Sequence, residues 1–220
     1  MDKIKLFAPA TVANLSCGFD VLGCCLDGVG DEMIISKNSE QKLRITKITG
    51  QDLPLQVEEN VAGVAANTLL AELNEKQGFD IEIKKNIKAG SGIGSSAASA
   101  AGAVFGINKL LGKPFSANQL IKFAMEGERL ASGNAHADNV APALLGGFTL
   151  VKSYEPLEII SLPGLPELRM LILHPLIELK TRDSRSVIRQ NVELKKAISQ
   201  WGNLAALVSA LYTQDYELLS

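Results

Sequence analysis

A glycine-rich segment in the middle of the chain constrains its fold and function more than any other feature. It reads KNIKAGSGIGSSAASAAG over residues 85–102, with glycine at positions 90, 92 and 94. The preceding FDIEIKKNIK (79–88) alternates polar and apolar residues as a half-buried strand does, and the small residues that follow predict a helix from Ser95 to Leu111. The sequence therefore predicts a strand, a bare glycine loop and a helix start in direct succession.

Such a succession is suited to binding an anion. The first turn of a helix has unpaired N–H groups and a partial positive charge, and both point toward the loop. Glycines let those N–H groups approach a phosphate without an intervening Cβ, and the hydroxyls of Ser95 and Ser96 can bind phosphate oxygens or Mg²⁺. The alternative interpretation is a flexible turn before a tightly packed helix of small residues.

Two common phosphate-binding motifs are excluded by the residues that occupy the required positions. The dinucleotide fingerprint GxGxxG requires glycine at position 95 after Gly90 and Gly92, and Ser95 stands there. The motif GxxxxGK[ST] fails as well, because the GK pair at 112–113 has no glycine at 107 and is followed by Pro114. The loop is therefore of a third kind.

The composition excludes several classes of protein. The 220 residues suffice for one large or two small domains, and 46% hydrophobic with 21% charged residues is typical of a soluble globular protein. The net charge of -2 gives no basic surface for nucleic acid, and no apolar run approaches the ~20 residues of a membrane span. Three cysteines without a CxxC pair argue against a disulfide framework. We expect a cytoplasmic protein without nucleic-acid or membrane partners.

Periodicity and turn residues outline the remaining elements. Gly78 is predicted to stop the first helix and Ser116 to cap the third. Strands and helices are intermixed without strict alternation, which predicts an α+β fold, and the prolines near 163–166 suggest a domain boundary. The predicted strands are 3–8, 32–37, 42–49, 79–88, 144–153 and 168–175, and the predicted helices are 60–77, 95–111, 116–130 and most of 183–219.

The pattern GSGIGSSAA resembles the nucleotide loop of the GHMP small-molecule kinases, which include galactokinase, homoserine kinase and mevalonate kinase. Three further blocks make the chain most similar to homoserine kinase over essentially its whole length. They are APATVANLSCGFDVLGCCLD (8–27), GERLASGNAHADNVAPALLGGF (127–148) and TRDSR (181–185). The resemblance implies a GHMP kinase fold, with an N-terminal domain like ribosomal protein S5 domain 2 over 1–163 and an incomplete ferredoxin-like C-terminal domain over 164–220.

The resemblance also implies ATP and Mg²⁺ as cofactors. Ser96 and Glu128 are the implied metal ligands, because the family places its Mg²⁺ carboxylate eight residues before the histidine of the HxDN segment. Asn60 is implied to contact adenine. The implied nucleotide loop consists of Lys88, Ala89, Gly90, Ser91, Gly92, Ile93, Gly94, Ser95, Ser96, Ala97 and Ala98.

The implied reaction is phosphorylation of the hydroxyl of L-homoserine to O-phospho-L-homoserine, an early step towards threonine. The guanidinium of Arg185 suits the carboxylate of an amino acid, and Glu128, Ser96 and Arg185 form the implied catalytic set. Direct attack of the hydroxyl on the γ-phosphate needs positioning and charge neutralisation, so Asp138 is left unassigned as a base. The implied substrate contacts are Asn14, Asp20, His136, Asn139, Thr181 and Arg185.

The chain departs from the family pattern in several places. Lys88 stands where proline is usual and Ile93 where leucine is usual. A third glycine- and serine-rich motif and a further substrate arginine have no counterpart, so the chain resembles a C-terminally truncated kinase, and we hypothesise that it is impaired as an enzyme on its own.

Other functions stay open at this point. They are a GHMP kinase for another small alcohol such as mevalonate, and a non-catalytic ATP-binding domain. RNA binding is disfavoured by the net charge, and a homodimer is compatible with the resemblance.

Overall fold

The structure is a computed structural model that describes residues 1–173, 187–189 and 191–219. Its described elements alternate irregularly between strands and helices, which confirms the α+β prediction. In chain order they are β1 (Lys3–Asn14), β2 (Gly18–Asn38), β3 (Leu43–Thr49), a 3₁₀ turn (Val57–Glu59), α1 (Val61–Glu72), β4 (Gly78–Lys84), α2 (Ser95–Leu110), α3 (Ala117–Ser132), α4 (Val140–Leu145), β5 (Phe148–Tyr154), β6 (Leu157–Leu162) and α5 (Leu194–Thr213).

The long strand β2 organises the sheet. It pairs antiparallel with β1 along almost its whole length, whereas β4 pairs with its second half and β5 with the three residues Leu22–Cys24 near its start. β3 lies parallel to β4, and β6 lies antiparallel to β5. One strand therefore joins the β3–β4 half of the sheet to the β5–β6 half.

Helices α1, α2 and α3 pack against one another, and α2 lies on β1 and β2. Its small residues permit this close approach. A Cβ at Gly102 would lie 2.4 Å from Met33 Sδ, and one at Gly106 would lie 2.5 Å from Ile35 Cδ1. The run of alanine and glycine in α2 therefore brings the helix axis close to the sheet, which fixes the position of its N-terminus.

A second, smaller hydrophobic cluster joins α5 to the other end of the sheet. Leu22, Phe148 and Leu162 pack there with Leu165 and Leu211. The domain boundary at 163/164 stays a prediction, but residues on both sides of it share this cluster.

Several predicted elements are confirmed, and the start of α3 agrees in detail. The Ser116 hydroxyl accepts a hydrogen bond from Gln119 N, while Gln119 Oε1 accepts one from Ser116 N, so the two residues form a capping box. The predicted strand at 3–8, those at 32–37 and 42–49, and the helix at 95–111 lie within or coincide with observed elements.

Other predictions of secondary structure are wrong. The helix predicted over 60–77 ends at Glu72, and Gly78 begins β4 instead of ending a helix. Residues 168–173 are not a strand, while 174 and 175 lie outside the described residues. The strand predicted from 144 begins only at Phe148, since the short helix α4 occupies the preceding residues. Helices were predicted to fill most of 183–219, and in that stretch the described residues form the helix α5.

The first half of β2 was not predicted because glycines interrupt its alternation. A Cβ at Gly23 would lie 1.7 Å from the carbonyl oxygen of Asp138. Glycine is therefore required there by a contact with a residue far along the chain, and such a contact leaves no periodic pattern in the sequence.

Candidate active site

The glycine loop connects β4 to α2 in an unusual backbone conformation. Gly90, Gly92 and Gly94 all have positive φ, at 74°, 78° and 65°. At Gly90 and Gly92 no described atom lies within 4 Å of the Cβ position, so backbone conformation and not crowding selects glycine there. At Gly94 a Cβ would lie 2.0 Å from Thr11 Oγ1. The alternating glycines therefore keep the outer side of the loop bare and its inner end close to β1.

The two serines after the loop point in different directions. Ser95 is buried, and its hydroxyl donates a 2.9 Å hydrogen bond to the carbonyl oxygen of Ile87. Ser96 is partly exposed, and its side chain is hydrogen-bonded to the side chain of Glu128. Ser95 thus uses its hydroxyl proton within the fold, and its phosphate contact stays a prediction, whereas Ser96 is directed toward the carboxylate of Glu128.

Glu128 of α3 forms a buried acidic pair with Asp138 beside Ser96. Both carboxyl groups are buried, with residue exposures of 8% and 4%. Burial is the main cause that raises the pKa of Glu128 to about 7; the negative charge of Asp138 raises it further, and the Ser96 hydrogen bond opposes both. Glu128 Oε1 has no hydrogen-bond partner among the described residues. A buried carboxylate oxygen, a hydroxyl and a second negative charge fit a hard divalent cation such as Mg²⁺.

The loop between β1 and β2 is held closed by Asn14. Its Oδ1 accepts a 2.9 Å hydrogen bond from Asp20 N, and both residues have positive φ, at 69° and 61°. The amide oxygen of Asn14 therefore stabilises the connection between β1 and β2, and its second lone pair and the amide nitrogen are what the side chain can offer to a substrate.

Tyr154 joins this loop to the segment that carries His136. Its hydroxyl donates to the carbonyl oxygen of Asp20 at 3.2 Å and accepts from Ala137 N at 3.4 Å. Its ring meets the His136 ring edge to face, with 6.4 Å between centroids. Sequence reasoning missed Tyr154, because nothing local marks a tyrosine at the end of β5 as part of a site.

Asn139 lies at the inner end of the glycine loop. Its Oδ1 accepts a 2.8 Å hydrogen bond from the hydroxyl of Thr11, and it would lie 3.0 Å from a Cβ at Gly94. Thr11 N in turn donates to the carbonyl oxygen of Ile93 at 3.2 Å. Thr11, which is fully buried and was also missed, thereby ties the segment of Asn139 to the loop.

Comparison with known proteins agrees with this geometry. Residues 60–147 match the profile of the GHMP kinases N terminal domain. A homoserine kinase of Chlorobium phaeobacteroides is 44% identical over 231 aligned residues, which cover 100% of this chain and 72% of that protein. The chain belongs to the homoserine kinase family. A homoserine kinase of Methanococcus vannielii is 41% identical and covers 99% of this chain, again with 72% of the relative matched.

Solved structures place the fold in the same superfamily. The crystal structure of homoserine kinase from Cytophaga hutchinsonii superposes with a TM-score of 0.89 at 44% identity, covering 100% of this chain and 70% of that one. A mevalonate kinase from Methanococcus jannaschii gives a TM-score of 0.58 at 17% identity over 74% of this chain, which shows the shared fold alone. The predicted GHMP kinase fold and kinase activity are thereby confirmed.

Some residues assigned by the family resemblance take internal roles in the structure. Asn60 is 5% exposed and caps α1, because its Oδ1 accepts from Ala62 N at 3.0 Å and its Nδ2 donates to Pro54 O at 2.8 Å. Both of its polar groups are used, so these bonds give no support to the predicted adenine contact. Ala97 and Ala98 are fully buried in the core, so their side chains are not accessible to a ligand from solvent.

Two predicted substrate residues, Thr181 and Arg185, lie outside the described residues. Lys88, which replaces the usual proline, is exposed at the start of the loop. Within the described ranges no helix is both long and apolar enough to cross a membrane.

Proposed function

We propose that this chain transfers the γ-phosphoryl group of Mg-ATP to the hydroxyl of L-homoserine, forming O-phospho-L-homoserine on the route to threonine in the cytoplasm. Membership of the homoserine kinase family supports the reaction. The observation that carries the proposal is the buried acidic pair of Glu128 and Asp138 beside Ser96, which lies in the first turn of α2 directly after three glycines with positive φ.

The glycine loop is the proposed phosphate site. The N–H groups of the first turn of α2 have no partner within the helix and carry its partial positive charge, and Gly90 and Gly92 present bare backbone beside them. Ser96 and Glu128 would hold Mg²⁺, which neutralises charge on the phosphates. The partnerless Oε1 of Glu128 supports this role, since a buried carboxylate oxygen requires compensation.

The segment around His136 and the start of β2 at Asp20 form the proposed acceptor site. Tyr154 holds them together, and Asn139 joins them to the end of the glycine loop. The carboxylate of Asp20 matches an ammonium group, and the predicted partner of the substrate carboxylate is Arg185. Positioning of the hydroxyl against the γ-phosphate then carries the reaction without a dedicated base.

The test is ADP release from Mg-ATP with L-homoserine, with mevalonate and without an acceptor. We expect release that depends on homoserine, and its loss in a Glu128→Gln variant that still folds. Equal rates with mevalonate, or ATP binding without turnover on any acceptor, would refute the proposed substrate or the transfer itself. Gel filtration at two concentrations tests the predicted homodimer.

A further inference from the structure

The start of the glycine loop is held by side chains from three different elements. Asp31 Oδ1 accepts hydrogen bonds from the backbone N–H of Asn86 at 2.7 Å and of Ile87 at 2.9 Å. The carbonyl oxygen of Ile87 accepts from Ser95 Oγ at 2.9 Å and from Gln51 Nε2 at 2.6 Å. The peptide groups of Ile87 are thus fixed from inside the fold by Asp31 and Ser95, and from outside by Gln51.

The inner support belongs to the core. Asp31 forms a fully buried ion pair with Lys85, and the Lys85 ammonium also donates to Ser95 O and Ser99 Oγ, both at 2.9 Å. Removing either partner leaves an uncompensated buried charge and destabilises the whole fold. The effect of such a substitution on the glycine loop therefore cannot be separated from its effect on folding.

The outer support, which Gln51 provides, can be tested separately from the stability of the core. Gln51 is half-buried, and its amide makes two bonds, donating to Ile87 O and accepting from Ala89 N, each at 2.6 Å. These two hydrogen bonds join Gln51 to the residues before and after Lys88, in the way that a neighbouring β-strand pairs with one residue. Beyond Ala89 the loop turns, since Ser91 N donates to Lys88 O at 3.1 Å.

The residue before Gln51 explains how the side chain reaches the loop. Gly50 has a φ of 89°, and a Cβ there would lie 2.1 Å from the carbonyl oxygen of Lys85. Only glycine allows the chain to turn this closely against Lys85 after β3. The turn delivers the Gln51 amide to the entry of the glycine loop.

We propose that Gln51 is a positioning residue for the nucleotide. It does not belong to the phosphate-binding segment but fixes the peptide groups at its entry, so that the bare backbone of Gly90 and Gly92 is already oriented when the phosphates arrive. This inference rests on the proposed function of the loop. A loop ordered in advance loses less conformational entropy on binding, so the support raises nucleotide affinity without a contact to the ligand.

The test compares Gln51→Ala with Gln77→Ala. Gln77 is a matched control because it is also half-buried and its Nε2 donates to two backbone carbonyls, Asn38 O at 2.8 Å and Gly78 O at 3.0 Å, where β4 begins, at the end of that strand away from the loop. We expect Gln51→Ala to weaken Mg-ADP binding about tenfold, the effect of one to two net hydrogen bonds. Homoserine binding should stay within about twofold in both variants, and Gln77→Ala should leave Mg-ADP binding unchanged.

Amide hydrogen exchange gives a second readout that a general loss of stability would not reproduce. Exchange should speed up at Ala89 and the following loop residues in Gln51→Ala only, and bound Mg-ADP should reduce the difference. If Gln51→Ala does not fold, Gln51→Met fills a similar volume without hydrogen bonds and should show the same loss of affinity. Unchanged Mg-ADP affinity in a folded variant overturns the positioning role while the nucleotide site stands. No Mg-ADP binding by the unaltered chain overturns both proposals.

Discussion

The buried carboxyl of Glu128 should destabilise the ligand-free protein at neutral pH, and replacing it with glutamine should remove that cost. Its pKa is raised from 4.5 to about 7, chiefly by burial. A raised pKa means that the folded state binds the proton more tightly than the unfolded state. The cost is therefore absent below about pH 4.5, grows as pH rises to about 7 and is complete above it. A shift of this size corresponds to about 3 kcal/mol.

Urea unfolding of Glu128→Gln and of the unaltered chain at pH 5 and pH 8, without Mg²⁺ or nucleotide, measures this cost. We expect the variant to be more stable by up to about 3 kcal/mol at pH 8 and by much less at pH 5. Glu126→Gln is the control, since Glu126 is partly exposed and pairs with Arg129 at 3.0 Å, an interaction worth about 0–1 kcal/mol. A stability difference that does not change with pH, or a variant less stable at pH 8, would refute the reasoning.

Three further predictions concern single side chains. Gly92→Val should abolish Mg-ADP binding measured by calorimetry. The control is Gly112→Val, because Gly112 is a similarly open glycine with a φ of 85° at the end of α2. This control variant should lose a comparable amount of stability but keep Mg-ADP binding. Asp20→Asn removes the negative charge, and asparagine tolerates the positive φ at this position. The variant should raise the KM for homoserine about tenfold or more and leave the KM for ATP unchanged. An equal rise in both KM values would contradict the assignment of Asp20 to the homoserine site. Ser116→Ala should lower the free energy of unfolding by about 1 kcal/mol through loss of the capping box, with both ligands bound normally.

The parts of the molecule that sequence could predict are those whose causes are local. The glycine loop, the start of α2 and the cap at Ser116 each depend on residues within a few positions of one another, and all three are present. The family resemblance added Glu128 and Ser96, which the structure brings together. Local chemistry and a shared motif were sufficient to predict the glycine loop and the proximity of Ser96 to Glu128, on which the proposed phosphate site depends.

The parts that sequence missed depend on distant contacts. Thr11 meets Asn139 across 128 positions, and Tyr154 meets Asp20 across 134. Gln51 reaches the glycine loop from the turn after β3, and although Gly50 marks a turn in the sequence, nothing local indicates which distant segment the next side chain contacts. Asn60 shows the opposite case, since its position before a helix already favours a cap over a ligand contact.

The length of β2 has an evolutionary consequence. Asp20 near its start belongs to the proposed acceptor site, and Asp31 supports the entry of the nucleotide loop, so one strand connects the two, although its register against β1 shifts between Cys25 and Gly30. Within the regularly paired segment from Gly30 to Ser36, deleting or inserting one residue would turn the later side chains to the opposite face of the sheet and exchange buried for exposed residues. Homologous chains should therefore keep the length of this paired segment constant and vary in length at residues 26–29 or at the turn between β2 and β3.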